Sequence, residues 1–396
     1  MTTIYLNQLG MISPLGNTLD ETKRRMLERV ESGVAPTDLY SPGRSLPLGR
    51  IDPALSLPAS ANLPWRARSR NNQLALAALN QIRLAVEKAM EQFGSARIGI
   101  VIGTSTSGIA EGETALREYV SSGMLPAPFH YGQQELASPA AILAQTLGTT
   151  GPAFVHSSAC ASSAKALASA ARLILMNSCD AVIAGGVDTL CVFTVAGFTA
   201  LESVSATRCN PLSRNRNGIN IGEGAALFLM SREPAVVALR GWGESSDGHH
   251  MSAPDPAGVG ARMAMEKALS RAEIGAAQVD YINLHGTATV QNDAMEACVV
   301  HSLFGDRVLV SSTKPFTGHT LGAAGAIEAG LCWLSMQDDN PAGKLPPHLW
   351  DGAADPKLPV LNVAEPGASL GHSLRCALSN SFAFGGANAT LVFRRE

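Results

Sequence analysis

The sequence predicts an α/β fold around a largely parallel central sheet. Short β-branched or apolar runs alternate with Ala-rich stretches of helical periodicity, the runs end in polar or Gly-containing loops, and the first half is weakly echoed in the second. Strands alternating with helices of this length imply parallel βα units.

The strand-length runs are residues 98–102, 153–156, 181–184, 281–284, 308–311 and 390–393. Helical patterning marks 73–90, 162–176, 261–272 and 323–337. IGIVIGTSTS at 98–107 is echoed by YINLHGTAT at 281–289. The run at 153–156 enters a Ser/Ala/Cys turn and an Ala-rich helix, and the run at 308–311 enters a Gly-rich turn and another such helix. This reads as a duplication into halves 1–235 and 236–396, with 232–244 as the crossover and loops from both halves converging on one site. Residues 41–65 and 338–366 are Pro- and Gly-containing loops, long enough to form functional edges or interfaces.

Composition narrows the function. The net charge of -3 lacks the basic excess of a nucleic-acid binder. No window reaches the roughly 20 apolar residues of a membrane span, and MTTIYLNQLGMISPLGN lacks the features of a signal peptide. A soluble, cytoplasmic protein is expected. The seven cysteines are scattered without a CxxC pair or zinc spacing, so reduced thiols and no metal are expected.

Four segments carry chemistry. In VHSSACASSAKALASAAR (155–172), Cys160 sits where a strand gives way to a helix. A thiol there gains thiolate character from the helix dipole, and small neighbours admit a bulky acyl group. A buried structural cysteine would look the same. In INLHGTATVQND (282–293), His285 ends a strand, Gly286 permits close approach of a ligand, and Thr287 and Thr289 offer hydroxyls to amide groups. A hydrogen-bonded structural histidine is the competing reading. In SSTKPFTGHTLGAAGAIEA (311–329), Lys314 and His319 share one loop, and Glu328 falls on the following helix within reach of the lysine. SNSFAFGGAN (379–388) sets Phe382 and Phe384 before two glycines; the Phe384 amide suits an oxyanion donor and an aromatic there suits a gate, although a plain Gly-rich turn fits as well.

Only the combination selects a reaction. A thiolate can hold an acyl group covalently. Two neutral imidazoles can steady the enolate of a decarboxylating malonyl thioester, with a nearby ammonium keeping them neutral. Amides at Cys160 and Phe384 would hold the oxyanion as the enolate attacks.

These segments, with GMISPLGN near the start and NPLSRNRNGINIGEGAALFL at 210–229, resemble the β-ketoacyl-acyl carrier protein synthases of the KAS I/II type. The resemblance runs through almost the whole chain. It implies a thiolase-like fold of two similar halves whose mixed sheets are sandwiched by helices in αβαβα layers, and a 3-oxoacyl-[acyl-carrier-protein] synthase activity. Cys160 would be the nucleophile, His285 and His319 the malonyl-binding pair, and Lys314 their support. Thr287 and Thr289 would contact the phosphopantetheine arm, and Phe384 would be the oxyanion and gating residue with Phe382 beside it. No cofactor is implied.

Three positions depart from the family pattern: Ala383 replaces glycine, Val290 replaces proline, and Asn217-Gly218-Ile219 replaces Asp-Gly-Phe. Together with SSACASSA they resemble a specialised branch, that of aryl polyene synthases. The expected partners are acyl carrier protein and a second subunit, either a copy of this chain or a chain-length-factor homologue lacking the cysteine. Arg66, Arg68 and Arg70 of WRARSR are candidates to meet the acidic carrier, or else a solvated loop. A non-decarboxylating thiolase-like acyltransferase and a non-catalytic chain-length factor are the alternatives; the first lacks its second active-site cysteine, and the second has no use for Cys160.

Overall fold

The computed structural model describes residues 2–396. The first half contributes β1 (Ile4–Ile12), the hairpin β2 (Val34–Thr37) and β3 (Leu46–Gly49), then β4 (Ile98–Gly103), β5 (Ala153–His156), β6 (Ala181–Asp188) and β7 (Gly224–Ser231). The second contributes β8 (Val237–Ser246), β9 (Tyr281–Asn283), β10 (Leu309–Ser311), β11 (Asn362–Val363), β12 (Cys376–Phe382) and β13 (Ala387–Arg395). The helices of the first half are α1 (Leu19–Lys23), α2 (Arg70–Phe93), α3 (Ile109–Ser122), α4 (Ser138–Leu147), α5 (Ser162–Leu175) and α6 (Val192–Ala200). Those of the second are α7 (Val259–Ala272), α8 (Val290–Phe304), α9 (Lys314–Thr317) and α10 (Ala324–Ser335).

Leaving out the hairpin, the strands pair in the order β11-β10-β9-β12-β13-β8-β1-β7-β6-β4-β5. Cut between β8 and β1, this order repeats itself. In one half β5, β4 and β6 run parallel, and β7 and β1 follow antiparallel. In the other β10, β9 and β12 run parallel, and β13 and β8 follow antiparallel. The strands whose sequences echo one another, β4 with β9 and β5 with β10, hold equivalent places. The halves are stitched edge to edge by the pairs Ile4–Leu239 and Tyr5–Ala238.

The halves also stack. Helix α5 packs on β4 and β6 of one half and on β8 and β13 of the other, while α10 lies between β6 and β7 on one side and β12 on the other. Helices α2 and α4 cover the outer face of the first half, and α7 and α8 that of the second. The result is five layers, αβαβα.

A helix with a sheet on each side must be apolar all round and thin. This accounts for the alanines of α5, where Ala164, Ala166, Ala168, Ala170 and Ala171 are all buried. The two middle helices also press on each other: a Cβ on Gly325 would lie 2.9 Å from that of Ala164, and Ser163 Oγ accepts the Ala326 N–H at 2.9 Å.

One expectation is corrected. Residues 232–244 do not form a simple crossover, because Val237–Ser246 is the strand β8. Gly241 and Gly243 interrupt its apolar pattern, and both are required by the helix above: a Cβ would come within 2.2 Å of Ala268 O at the first and 1.8 Å of Ala264 O at the second. Among the described residues no helix is long and apolar enough to cross a membrane.

Gly103 ends β4 beneath the start of α5, where a Cβ would fall 2.3 Å from Ser163 N. Gly103→Ala should therefore lower the unfolding free energy by about 1–3 kcal/mol, the usual cost of overpacking. A denaturant midpoint that falls at unchanged slope would show it.

Candidate active site

Cys160 owes its place to a strained turn. After β5 the chain passes through Ala159 at φ +46°, a conformation costly for a residue with a Cβ. Ser162 closes the turn: its Oγ accepts the Ser158 N–H at 2.8 Å and donates to Ala159 O at 2.6 Å. Cys160 is thereby presented just ahead of α5, 5% exposed.

His285 follows β9 in the same manner. Gly286 lies at φ +42°, where a Cβ would meet the Ser312 side chain at 2.5 Å. The buried Glu296 of α8 holds this loop, accepting the His285 and Gly286 N–H groups at 2.8 Å each and Asn380 Nδ2 at 3.1 Å.

Lys314 begins α9 after β10, and Gly318 at φ +69° turns the chain into His319. The first half grips that histidine: its N–H donates to Asn220 O at 2.6 Å, and its carbonyl accepts from Gly222 N at 2.8 Å. The stretch at 210–229 thus serves to position a residue of the other half.

These side chains converge. His319 Nε2 lies 3.0 Å from Cys160 Sγ. The two imidazoles stand edge to face, 5.3 Å between centroids. Lys314 Nζ is 3.4 Å from His285 Nδ1 and 2.5 Å from Glu328 Oε1, with the ion pair fully buried. Phe382 stacks edge-on to His285 at 6.0 Å, and the Phe384 N–H bonds toward the Cys160 sulfur. A cavity of about 590 Å³, including its open mouth, joins Cys160, His285, His319 and Phe384 to Thr287 and Thr289. The two threonine hydroxyls bond each other at 2.9 Å.

Burial, reinforced by the Lys314 charge, holds His285 and His319 well below the usual histidine range, so both rings are neutral at physiological pH. Burial also pushes the Cys160 thiol up to about 11, against the opposing pull of Lys314 and the Phe384 N–H. This runs opposite to the lowered thiol pKa expected from the helix end, and it leaves His319 Nε2, 3.0 Å away, as the base beside the sulfur.

The arginine candidates do not act alike. Arg70 pairs with the buried Glu223 at 2.7 Å, and Arg68 donates to the carbonyls of Leu63 and Ala61. Both are structural ties of their loop. Only Arg66 of the three is exposed.

Sequence reading missed Glu296, Asn380 and Phe198. Glu296 had a legible signal, a carboxylate among the apolar positions Met295, Ala297, Val299 and Val300 of one helix. Phe198 had none; its ring reaches Phe384 at 5.6 Å only through the fold.

Comparison with known proteins places the chain in a family. Residues 9–235 match the β-ketoacyl synthase N-terminal domain, and residues 236–349 match the C-terminal domain. The chain belongs to the β-ketoacyl synthase family. It is 29% identical to the 3-oxoacyl-[acyl-carrier-protein] synthase 2 of Coxiella burnetii, across 99% of this chain and 98% of that one. Among solved structures it is similar to the ketosynthase ApeO of Xenorhabdus doucetiae, determined in complex with its chain length factor ApeC. That match has a TM-score of 0.92 and 42% identity, and covers 100% of this chain and 98% of that one. A β-ketoacyl synthase from Burkholderia phymatum matches with a TM-score of 0.85 and 26% identity over the full length of both chains. The synthase is accordingly a condensing acyltransferase on the thiolase-like fold.

The synthase's buried ion pair generates a test. Lys314→Met leaves Glu328 as an unpaired buried carboxylate and should cost about 3–5 kcal/mol of stability. Lys314→Met/Glu328→Leu should recover much of that loss in denaturant titration. Removing the Lys314 charge also removes a force that lowers both histidine pKa values. They then rise, more imidazolium is present at a given mildly acidic pH, and the acid limb of the double variant's kcat/KM profile moves toward neutral.

Proposed function

We propose that the synthase lengthens an acyl chain held as a thioester on Cys160 by two carbons taken from a malonyl group on acyl carrier protein. The observation that carries this reading is the meeting of Cys160 with two neutral imidazoles, ligand atoms within 4.8 Å of one another, backed by the buried Lys314–Glu328 pair.

In the first half-reaction His319 Nε2 takes the Cys160 proton as sulfur attacks the acyl-thioester carbon. Amides of Cys160 and Phe384 hold the oxyanion, and the proton passes to the departing carrier thiol. In the second, N–H groups of His285 and His319 bind the malonyl thioester oxygen. The bond to the carboxylate breaks, carbon dioxide leaves, and its electron pair becomes the enolate. The enolate carbon then attacks the acyl carbon, and the C–S bond to Cys160 breaks, releasing the 3-oxoacyl product and a thiolate that takes up a proton from solvent to restore the thiol. Lys314 donating to His285 Nδ1 leaves that ring's proton on Nε2. His319 Nδ1 has no protein partner, which leaves its ring free to accept in one step and donate in the next.

Thr287 and Thr289 suit the amides of the phosphopantetheine arm at the mouth. No metal is invoked, since a divalent cation on the Cys-His-His cluster would face the Lys314 charge. Arg66 is retained as a carrier contact. The 42% identity to a ketosynthase solved with its chain length factor supports a heterodimer of that kind, and a specialised branch such as aryl polyene synthesis.

Intact-protein mass spectrometry after mixing with an acyl-carrier-protein thioester tests the reading. Wild type should gain the acyl mass and Cys160→Ala should not; malonyl-carrier protein should then release a 3-oxoacyl product two carbons longer. A wild type that never acquires the acyl group, with its partner subunit present, would overturn the assignment. Arg66→Glu should raise KM several-fold for carrier-bound substrate with free-thioester turnover unchanged. Arg70→Glu should instead lower stability, by placing a third carboxylate beside Glu111 and Glu223.

A further inference from the structure

Helix α6 joins the outside of the molecule to the gate over Cys160, and little holds it down. Of its nine residues only Val195 is buried, and Phe193 in its first turn is 67% exposed. Its buried N-cap, Cys191, bonds the Thr194 hydroxyl through Sγ at 2.7 Å but caps none of the first-turn N–H groups. Glu113 of α3 fills that role from a distance: its carboxylate accepts the Val192 N–H at 3.2 Å and also the Phe193 N–H. A carboxylate at a helix N-terminus satisfies orphan donors and opposes the helix dipole. Five residues beyond Phe193, Phe198 lines the Cys160 cavity and leans on the Phe384 ring, 5.6 Å between centroids. The Phe384 N–H in turn bonds toward the Cys160 sulfur.

We infer that Glu113 is a positioning residue which, by tethering α6, sets how tightly the Phe198–Phe384 pair closes the approach to Cys160. A lightly packed helix opens locally at small cost, and the bonds that hold its first-turn N–H groups influence how often it does so. Released at its N-terminus, α6 lets Phe198 swing from Phe384, and bulky groups reach the sulfur more often. Glu113 touches neither substrate nor the reacting atoms.

This inference rests on Cys160 as the acyl acceptor, but its test reads access to the thiol and needs no turnover. Alkylation of Cys160 is followed by peptide mass spectrometry, which separates it from the exposed Cys298. A small reagent, iodoacetamide, is compared with a bulky biotin-maleimide in wild type, Glu113→Ala, Glu113→Gln, Phe198→Ala and Glu113→Ala/Phe198→Ala. Glu113→Ala should raise the bulky-to-small rate ratio about fivefold, the factor corresponding to the ~1 kcal/mol typical of a lost N-cap. Glu113→Gln, which keeps an acceptor oxygen, should fall back toward wild type. Phe198→Ala should raise the ratio by itself, and adding Glu113→Ala should raise it no further. An unchanged ratio in Glu113→Ala would overturn the inference, as would effects of the two substitutions that multiply. A general loosening would speed both reagents and leave the ratio where it was. Failure of the condensing reading would appear separately, as an acyl-Cys160 enzyme that releases no longer product.

Discussion

A single buried ion pair organises this active site. Lys314 and Glu328 sit in the middle layer, 1% and 3% exposed, where neither charge is tolerable alone. Their partnership fixes the spacing between the His319 loop and the helix α10 that follows it. It also leaves a positive charge beside His285, and that charge with burial keeps both imidazoles neutral. Neutral rings can donate to an enolate oxygen without carrying a net charge into a dry pocket. Stability and chemistry therefore draw on the same two side chains, and the pair could not be replaced by an apolar isostere without changing how the histidines titrate.

Around that pair the duplicated fold supplies a recurring device. At four connections leading from strand to helix a non-glycine residue occupies left-handed space: Ser107 before α3, Ala159 before the nucleophile, Ala288 between the two threonines, and Leu321 before α10. Such strain persists only where surroundings over-determine it. Asp188 at the end of β6 provides one such determinant. It accepts from the Thr104 hydroxyl and from the backbone and hydroxyl groups of Ser105 and Thr106 in the first half, and from Gly322 N in the second, at 2.5–3.1 Å. Glu296 does the same for the His285 loop. Burial pushes the Glu296 carboxyl up to about 7, against the hydrogen bonds it receives. Two buried carboxylates, neither touching the cavity's sulfur, thus hold the loops of both halves in register.

The aromatic side of the pocket is organised differently. Phe382 continues β12 and is fixed by sheet pairing, whereas Phe384 lies in the turn beyond it and Phe198 on a helix with one buried residue. Rigid groups face the nucleophile from the central layer, and lightly held groups face it from the mouth. An enzyme that must admit two carrier-borne groups in turn needs that division.

Much of this was legible in the sequence because the middle helices are constrained from both sides. Thinness forces alanine and glycine, so 162–176 and 323–337 stand out as helices, and the reactive residues stand beside them with few polar competitors. The echo of 98–107 in 281–289 marked equivalent strands, because the same strand-loop geometry is needed twice. The sequence by itself therefore determined the α/β class, the paired halves and the candidate set of Cys160, His285, Lys314 and His319. Tertiary structure alone decided what depends on groups distant in the chain. Strand β8 was hidden because its glycines answer to Ala264 and Ala268 of the overlying helix. Arg70 looked like a surface cation until Glu223, far along the chain, became its partner. Burial pushes the Cys160 thiol up, a direction that the helix end visible in the local sequence does not reveal. Phe198 reached Phe384 only through α6. Each is set by packing and desolvation, which sum over neighbours that no local spacing reveals.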